Sequence, residues 1–319
     1  MFLFVLVKTN KIKLIKMDVC EEPTPNKWNI DTPVANAPSP LNIDNILVGK
    51  QLGKGKFGNV YLARLKETNK QELQKVLALK VILKKQIKEA KLESQIRNEY
   101  SVFNFLGEYL IQSSLDHPNI IKLYGHFCDE ERIYFVLEYA NKGDLYDEYA
   151  RQKRLSEKRV AQVMQDVILG LQYLHSENII HRDVKPENIL INNENDIETA
   201  KIADFGYAIK LESSKQKVTD FVGTMDYLAP ELIDNKPYSF SVDIWAIGVI
   251  IYELLVGETP FYSKTISGTY KRIQTVDLKL PEFLSDNAKD LIKKILVLYP
   301  EYRLSLQDML THPFFSILY

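Results

Sequence analysis

The chain has 319 residues, enough for one large domain or two small ones. Hydrophobic residues make up 45% and charged residues 26%, which is a globular balance that excludes a disordered or collagen-like chain. The formal charge of -1 shows no basic excess, so nucleic acid is not an expected partner. A membrane is not expected either, since no apolar run approaches the ~18 residues of a spanning helix.

The first 41 residues are expected to form a disordered N-terminal tail. Residues 1–7 (MFLFVLV) have the apolar character of a signal peptide, but no basic residue precedes them and no small-residue cleavage site follows. They are therefore interpreted as a tail, or as an over-extended gene model whose real start is Met17. Five prolines between residues 21 and 41 forbid a helix and indicate an extended linker.

The next part of the chain, residues 42–139, is predicted to be rich in strands. A run of charged residues at helical spacing also predicts one helix over 86–99. The strand predictions are a strand–turn–strand pair over 46–64, a buried strand over 76–83, and two more strands over 120–127 and 132–138.

After residue 140 the pattern becomes helical. Ser156 is a good N-cap for a helix whose apolar face runs from Val160 to Leu174. Further helices are predicted at 239–256, 286–297 and 305–311. The two patterns imply two lobes, an N-lobe at 42–139 and a C-lobe at 140–316, with a ligand crevice between them.

A glycine-rich segment lies in the first strand pair. Gly53, Gly55 and Gly58 fit G-x-G-x-x-G-x-V. Dinucleotide-binding folds use a similar pattern, but there a helix follows the third glycine, whereas a strand is predicted to continue through Val60. Glycines in such a turn let backbone amides approach phosphates, and an ordinary glycine-rich hairpin is the alternative.

Lys80 lies in the middle of a strand that is predicted to be buried. An ammonium there is costly without a negative partner. A phosphate and the carboxylate of Glu99 would supply that partner, and a surface lysine with a buried stem is the alternative.

Three motifs follow in the order of the protein-kinase signature: HRDVKPEN at 181–188, DFG at 204–206 and APE at 229–231. Phosphoryl transfer needs positioning and charge neutralisation more than covalent help. The activation segment of such an enzyme includes residues 217–224. A Walker-type ATPase is an alternative class of function, but its G-x-x-x-x-G-K-[ST] motif is absent from the sequence.

Each motif residue then has an expected role. Asp183 is expected to accept the proton of the substrate hydroxyl, and Lys185 to neutralise the transferring phosphoryl group. Asn188 and Asp204 supply hard oxygens for Mg²⁺. Lys80 is expected to hold the α- and β-phosphates of ATP.

Residues 46–316 resemble the Aurora family of serine/threonine protein kinases. The stretches that carry the resemblance are LGKGKFGNVYLAR, LEYA, HRDVKPENIL, KIADFG, GTMDYL and TYKRI. It implies a bilobal α+β protein-kinase fold that phosphorylates Ser/Thr in protein substrates with ATP and Mg²⁺. It also implies a monomeric catalytic domain, an activator peptide docked on the N-lobe, and mitotic work in the cytoplasm or nucleus, at the spindle or centrosome.

The resemblance also implies the binding residues. Adenine is recognised by the backbone of Glu138 and Ala140, with Leu137 as gatekeeper. Asp144 and Glu187 resemble carboxylates that recognise Arg or Lys upstream of the target hydroxyl. The remaining residues of the nucleotide site are Leu52, Gly53, Gly55, Lys56, Gly58, Val60, Ala78, Glu187 and Asn188.

The activation segment departs from the Aurora pattern. Asp220 stands where Auroras carry their main activating phosphothreonine, and Thr219 is the remaining phosphorylatable neighbour, with Thr224 further along. A phosphate at this place pairs with the arginine of the HRD motif. Asp220 is therefore expected to pair with Arg182 and to replace part of the effect of that phosphate. The alternative is that Asp220 is only a solvated loop carboxylate. Elsewhere in the C-lobe, Arg303 is expected to pair with Glu231.

The stretch Tyr100–Glu108 is additional to the family spacing and leaves two registers open. Counting forward from Lys80, Glu99 is its carboxylate partner; counting back from His117, Glu108 is. Glu99 is favoured, because its spacing from Lys80 is undisturbed. The aromatic and apolar insertion is either a gene-model error or a real bulge or docking patch.

The insertion also bears on the choice between an active kinase and a pseudokinase scaffold. A genuine insertion would distort the predicted helix and so favours a scaffold. Lys80, Asp183 and Asp204 are all present, and a pseudokinase usually lacks one of them. An active kinase is therefore the leading interpretation.

Overall fold

A computed structural model of the chain describes residues 42–54, 58–66, 76–85 and 111–319, and the backbone of 2–8 and 11–17. In the tail that is expected to be disordered, β1 (Phe2–Lys8) pairs antiparallel with β2 (Lys11–Met17). The first run (FLFVLVK) is rich in Phe, Leu and Val, and in the second (KIKLIKM) two Ile and one Leu are interspersed with lysines. Aromatic and β-branched residues such as Phe, Val and Ile favour strands. The structure therefore differs from the expectation at these two segments.

The N-lobe is built on one five-stranded antiparallel sheet. The spatial order of its strands is β3-β4-β5-β7-β6, so β7 lies between β5 and β6 although it follows β6 in the chain. The strands are β3 (Ile46–Lys54), β4 (Gly58–Leu65), β5 (Val76–Leu83), β6 (Leu123–Cys128) and β7 (Arg132–Glu138).

The predicted bounds hold for β5 and β7, but β6 begins three residues later than expected. The reason is that Ile121 donates its backbone N–H to the carbonyl of Ile202 at 2.9 Å, and Ile202 donates to Asn119 at 2.9 Å. This backbone therefore pairs with the C-lobe and not with the sheet. The helix predicted over 86–99 lies outside the described residues.

The C-lobe is helical, and its core surrounds the helix Ser241–Val256. Ser156 caps the helix Glu157–Ser176 through a hydrogen bond from Arg159 N, as its sequence position predicts. The helices are α1 (Leu145–Gln152), α2 (Glu157–Ser176), α3 (Pro230–Ile233), α4 (Ser241–Val256), α5 (Ile266–Thr275), α6 (Asp286–Ile295) and α7 (Leu306–Leu310). Thus α4 and α6 fall within the predicted ranges, while α1 and α5 were not predicted.

Four short strands frame the loops that carry the motifs. They are β8 (Ile179–Ile180), β9 (Ile189–Glu194), β10 (Ile197–Ile202) and β11 (Ile209–Lys210). Since β8 pairs with β11 and β9 pairs with β10, the HRD loop and the DFG turn are held side by side below the N-lobe sheet. This arrangement confirms the predicted bilobal α+β fold. Among the described residues, no helix has the length and apolarity to cross a bilayer.

Candidate active site

The HRD loop is attached to α4 by a buried carboxylate. Asp243 accepts the backbone N–H of His181 at 3.0 Å and of Arg182 at 2.8 Å, and Nε2 of His175 lies 2.9 Å from it. Burial alone would raise the pKa of Asp243, but the contact with His175 and these hydrogen bonds outweigh it and lower the pKa. The loop therefore rests on an ionised group in the core.

Asp183 lies in a closed cluster of polar side chains. Its Oδ2 is 2.9 Å from Lys185 Nζ, and its Oδ1 accepts the hydroxyl of Thr224 at 2.6 Å. Lys185 also donates to Thr224 at 2.7 Å. Asn188 Nδ2 donates to the Asp183 carbonyl at 2.9 Å and to Oδ2 at 3.2 Å. The structure thus brings together the four residues that the sequence selects from two distant segments.

Lys80 reaches across the crevice to the DFG turn. Its Nζ lies 3.1 Å from Asp204 Oδ1, with the lysine side chain 16% exposed and the aspartate 51% exposed. The ammonium is the main reason that the pKa of Asp204 is lowered, against an opposing effect of burial. Glu99 and Glu108, the two predicted carboxylate partners of Lys80, lie outside the described residues, and the insertion between them does too.

Arg182 joins the HRD loop to the activation segment. Its Nη1 is 3.0 Å from Asp220 Oδ2, and the two side chains are only 2% and 16% exposed. Its Nε donates to the Tyr207 carbonyl at 2.6 Å. The hydroxyl of Tyr238 lies between the partners, since it accepts from Arg182 at 3.1 Å and donates to the Asp220 carbonyl at 2.8 Å. Thr219 is exposed.

Gly223 allows the activation segment to approach the HRD loop closely. Its φ is +116°, and a Cβ there would lie 2.8 Å from the carbonyl oxygen of Arg182. A side chain would force the backbone apart. Thr224 follows it directly, so this glycine places the Thr224 hydroxyl at Asp183.

Several of the residues predicted to contact nucleotide lie on the N-lobe sheet. Leu52 and Gly53 are on β3, and Gly58 and Val60 are on β4. Gly55 and Lys56 lie outside the described residues. On the neighbouring strands Ala78 stands opposite Leu137, and β7 ends at Glu138, two residues before the buried Ala140.

Two tyrosine hydroxyls share one buried carboxylate in the C-lobe. The buried Glu253 of α4 accepts the hydroxyls of Tyr149 at 2.7 Å and Tyr227 at 2.5 Å. Burial is the main reason that the pKa of Glu253 is raised, and the charges of Glu187 and Asp226 raise it further. Glu253 was not predicted as a site residue, although a lone acid in the apolar run IIYELLV is a signal in the sequence.

Asp144 and Glu187 are the two predicted substrate carboxylates, and the charge of Glu187 acts on Glu253. Asp144 caps α1 by accepting Asp147 N at 2.7 Å, and burial raises its pKa. Glu187 is exposed. Tyr238 was also missed, because nothing in its local sequence marks it.

The predicted pairing of Arg303 with Glu231 is confirmed. Two parallel contacts of 2.7 Å join the guanidinium to the carboxylate, and both side chains are buried. The guanidinium also lies 5.0 Å from the ring centroid of Trp245. This pair links the end of the activation segment to the C-lobe core.

Comparison with known proteins identifies the family. The protein kinase domain family matches residues 46–315. Aurora kinase C of Mus musculus is 45% identical over 273 residues, which cover 86% of this chain and 92% of the relative. Aurora kinase of Schizosaccharomyces pombe is 42% identical over 292 residues, which cover 89% of this chain and 77% of the relative. Aurora kinase B of Mus musculus is 43% identical over 274 residues, which cover 86% of this chain and 74% of the relative. The chain therefore belongs to the Aurora family of serine/threonine protein kinases.

Proposed function

We propose that this kinase transfers phosphate from ATP to Ser or Thr in proteins that carry basic residues upstream of the target. The observation that carries the proposal is that Asp183, Lys185, Asn188 and Thr224 form one cluster at the HRD loop, while Lys80 contacts Asp204 of the neighbouring DFG turn. These groups are what an in-line phosphoryl transfer needs, namely an oriented hydroxyl and neutralised charge.

Asp183 acts on the substrate hydroxyl. Because Thr224, Lys185 and Asn188 hold both carboxylate oxygens, the side chain has one orientation. It orients the hydroxyl and accepts its proton. Lys185, in contact with the same carboxylate, neutralises the phosphoryl group as it is transferred.

The donor set of the crevice fits Mg²⁺. Asn188 uses its amide N–H groups on Asp183, which leaves the amide oxygen for a metal. Asp204 contacts Lys80 through Oδ1 and is half exposed to the crevice. Carboxylate and amide oxygens are the ligands that Mg²⁺ takes, and the ion would neutralise phosphate charge there. Lys80 would bind the α- and β-phosphates, and the backbone of Glu138 and Ala140 the adenine.

The preference for basic substrates rests on acidic side chains in the part of the C-lobe that contains Tyr149 and Tyr227. Asp144, Glu187 and the buried Glu253 are acidic groups in this part of the C-lobe. Burial disfavours the ionised forms of Asp144 and Glu253 and raises their pKa values, so a cation close to them would stabilise the ionised carboxylates. An Arg or Lys of the substrate is that cation.

The regulatory proposal concerns Asp220 and Thr219. The contact of Asp220 with Arg182 supports a segment that is partly ordered without phosphate, and Thr219 is exposed to an incoming kinase. We further propose that the protein acts as a monomer and binds an activator peptide on its N-lobe. Family membership supports mitotic work at the spindle or centrosome, in the cytoplasm or nucleus.

Radioactive phosphate transfer to paired peptides tests the function. One peptide carries Arg upstream of a single serine, and its partner carries Ala instead. Wild type is expected to prefer the first peptide, and Asp183→Asn to lose about 10²–10⁴-fold in rate, the usual value of a placed base. Asp204→Ala is expected to be inactive.

The outcomes separate the alternatives. If wild type transfers no phosphate while it binds nucleotide or a partner protein, the pseudokinase scaffold is the better description. If Asp183→Asn and Lys80→Arg both keep near-normal activity, the assigned roles are wrong. Equal rates on the two peptides would contradict the basic preference alone.

A further inference from the structure

Lys201 is a buried lysine that the proposed mechanism does not use. It lies on β10, three residues before Asp204, and its Nζ is 3.0 Å from Glu138 Oε1 and 2.7 Å from the carbonyl oxygen of Pro118. A buried ammonium is costly unless it is paired and hydrogen-bonded. Both acceptors belong to other segments, so the ammonium joins three parts of the chain.

The same three segments are joined by the backbone. Glu138 Oε2 accepts the N–H of Lys122 at 3.1 Å, and Glu138 N donates to the Lys122 carbonyl at 2.9 Å. Ile202, next to Lys201, bonds Asn119 and Ile121 at 2.9 Å each. The strand that leads to Asp204, the connector at 118–122 and the hinge at 138–140 therefore meet at Lys201.

We infer that Lys201 is a positioning residue for the nucleotide. Through Glu138 and Pro118 it fixes the hinge against β10, and so sets the distance between the backbone that contacts adenine and the Asp204 end that faces the phosphates. The inference rests on the proposed ATP site. A buried ion pair adds little stability compared with apolar residues of similar size, which favours a role beyond packing.

Lys201→Met tests this role, because it keeps most of the stem and removes the charge. The dissociation constant of the fluorescent nucleotide mant-ATP and the KM for ATP are expected to rise about tenfold, equivalent to about 1.4 kcal/mol, while kcat changes by less than about threefold. Lys236→Met is the matched control. It removes a lysine from an exposed pair with Asp234 and is expected to leave both constants unchanged.

A second variant separates positioning from stability. Lys201→Met leaves the Glu138 carboxylate without its cation, which is expected to lower the melting temperature. In Lys201→Met/Glu138→Gln no unpaired charge remains, so the melting temperature is expected to return towards the wild-type value. KM for ATP and the dissociation constant of mant-ATP are expected to stay raised, because the contact between Lys201 and the hinge is still absent. This variant also serves if Lys201→Met does not fold. Wild-type constants in either variant, or a nucleotide defect that disappears as the melting temperature recovers, would overturn the inference. A wild type that neither binds mant-ATP nor transfers phosphate would instead contradict the proposed function.

Discussion

Arg182 is the residue through which the activation segment acts on the catalytic loop. Its guanidinium contacts Asp220, Tyr207 and Tyr238 and is almost fully buried. A phosphate would bring a charge of about −1.5 to −2 and three acceptor oxygens, whereas a carboxylate brings one charge and two oxygens. Asp220 therefore supplies part of what phosphorylation supplies.

Asp220 is expected to give basal activity without phosphate. Phosphatase-treated wild type should keep measurable activity in the peptide assay, and Asp220→Asn should lower it several-fold, because the neutral amide leaves Arg182 without its anion. Asp220→Thr should make activity depend on phosphorylation. Thr219→Ala is the neighbouring control and should change the dephosphorylated enzyme little, since Thr219 is exposed.

The opposite result would identify a different switch. If Asp220→Asn has no effect on dephosphorylated enzyme while Thr219→Ala abolishes the activity of untreated enzyme, then Thr219 alone controls the segment. Asp220 would then be an ordinary loop carboxylate.

At the scale of elements, β5 and β10 are the two strands that present Lys80 and Asp204 to each other. The helix predicted over 86–99 is expected to add the second carboxylate partner of Lys80. A helix that continued through the nine residues Tyr100–Glu108 would turn by about 180° between the two registers. Only one of Glu99 and Glu108 could then face Lys80.

Deletion of Tyr100–Glu108 tests the register. It restores the family spacing with Glu99 in place, so kinase activity is expected to be preserved or raised. Glu99→Gln in the full chain should lower activity, because Lys80 loses a carboxylate, and Glu108→Gln is the matched control that should not. A deletion that destroys activity, together with a harmless Glu99→Gln, would make Glu108 the partner.

At the scale of the whole molecule, the buried Arg303–Glu231 pair connects the activation segment to the C-lobe core. Both oxygens of the Glu231 carboxylate accept hydrogen bonds from the Arg303 guanidinium, so neither buried charge lacks a partner. Removal of one partner leaves the other charge buried and unpaired, which costs more than the pair itself contributes.

Arg303→Met is expected to lower the free energy of unfolding by about 3–5 kcal/mol, measured by urea denaturation. Arg303→Met/Glu231→Leu should recover most of that loss, because no buried charge remains. Lys236→Met, which breaks an exposed pair, should leave the free energy of unfolding nearly unchanged. A double variant as unstable as Arg303→Met would show that packing around Trp245, and not the unpaired charge, sets the cost.

The sequence by itself determined the features that are local. Short runs of strand-forming residues predicted the bounds of β5 and β7, and Ser156 marked the start of α2, because strand propensity and helix capping depend on residues close together in the chain. The signature motifs identified Asp183 and Asp204, since each motif carries its chemistry within a few residues.

Only the tertiary structure decided which distant groups meet. Tyr238 lies 56 residues from Arg182 in the chain, and Glu253 lies 104 residues from Tyr149, yet each pair forms a hydrogen bond. Lys201 likewise reaches Glu138 from another lobe. Such contacts depend on how helices and strands pack, which local propensity does not contain. Residues that belong to a family motif, such as Arg303 and Glu231, were predicted to pair, whereas Tyr238, Glu253 and Lys201 belong to no such motif pair and were recognised only after folding.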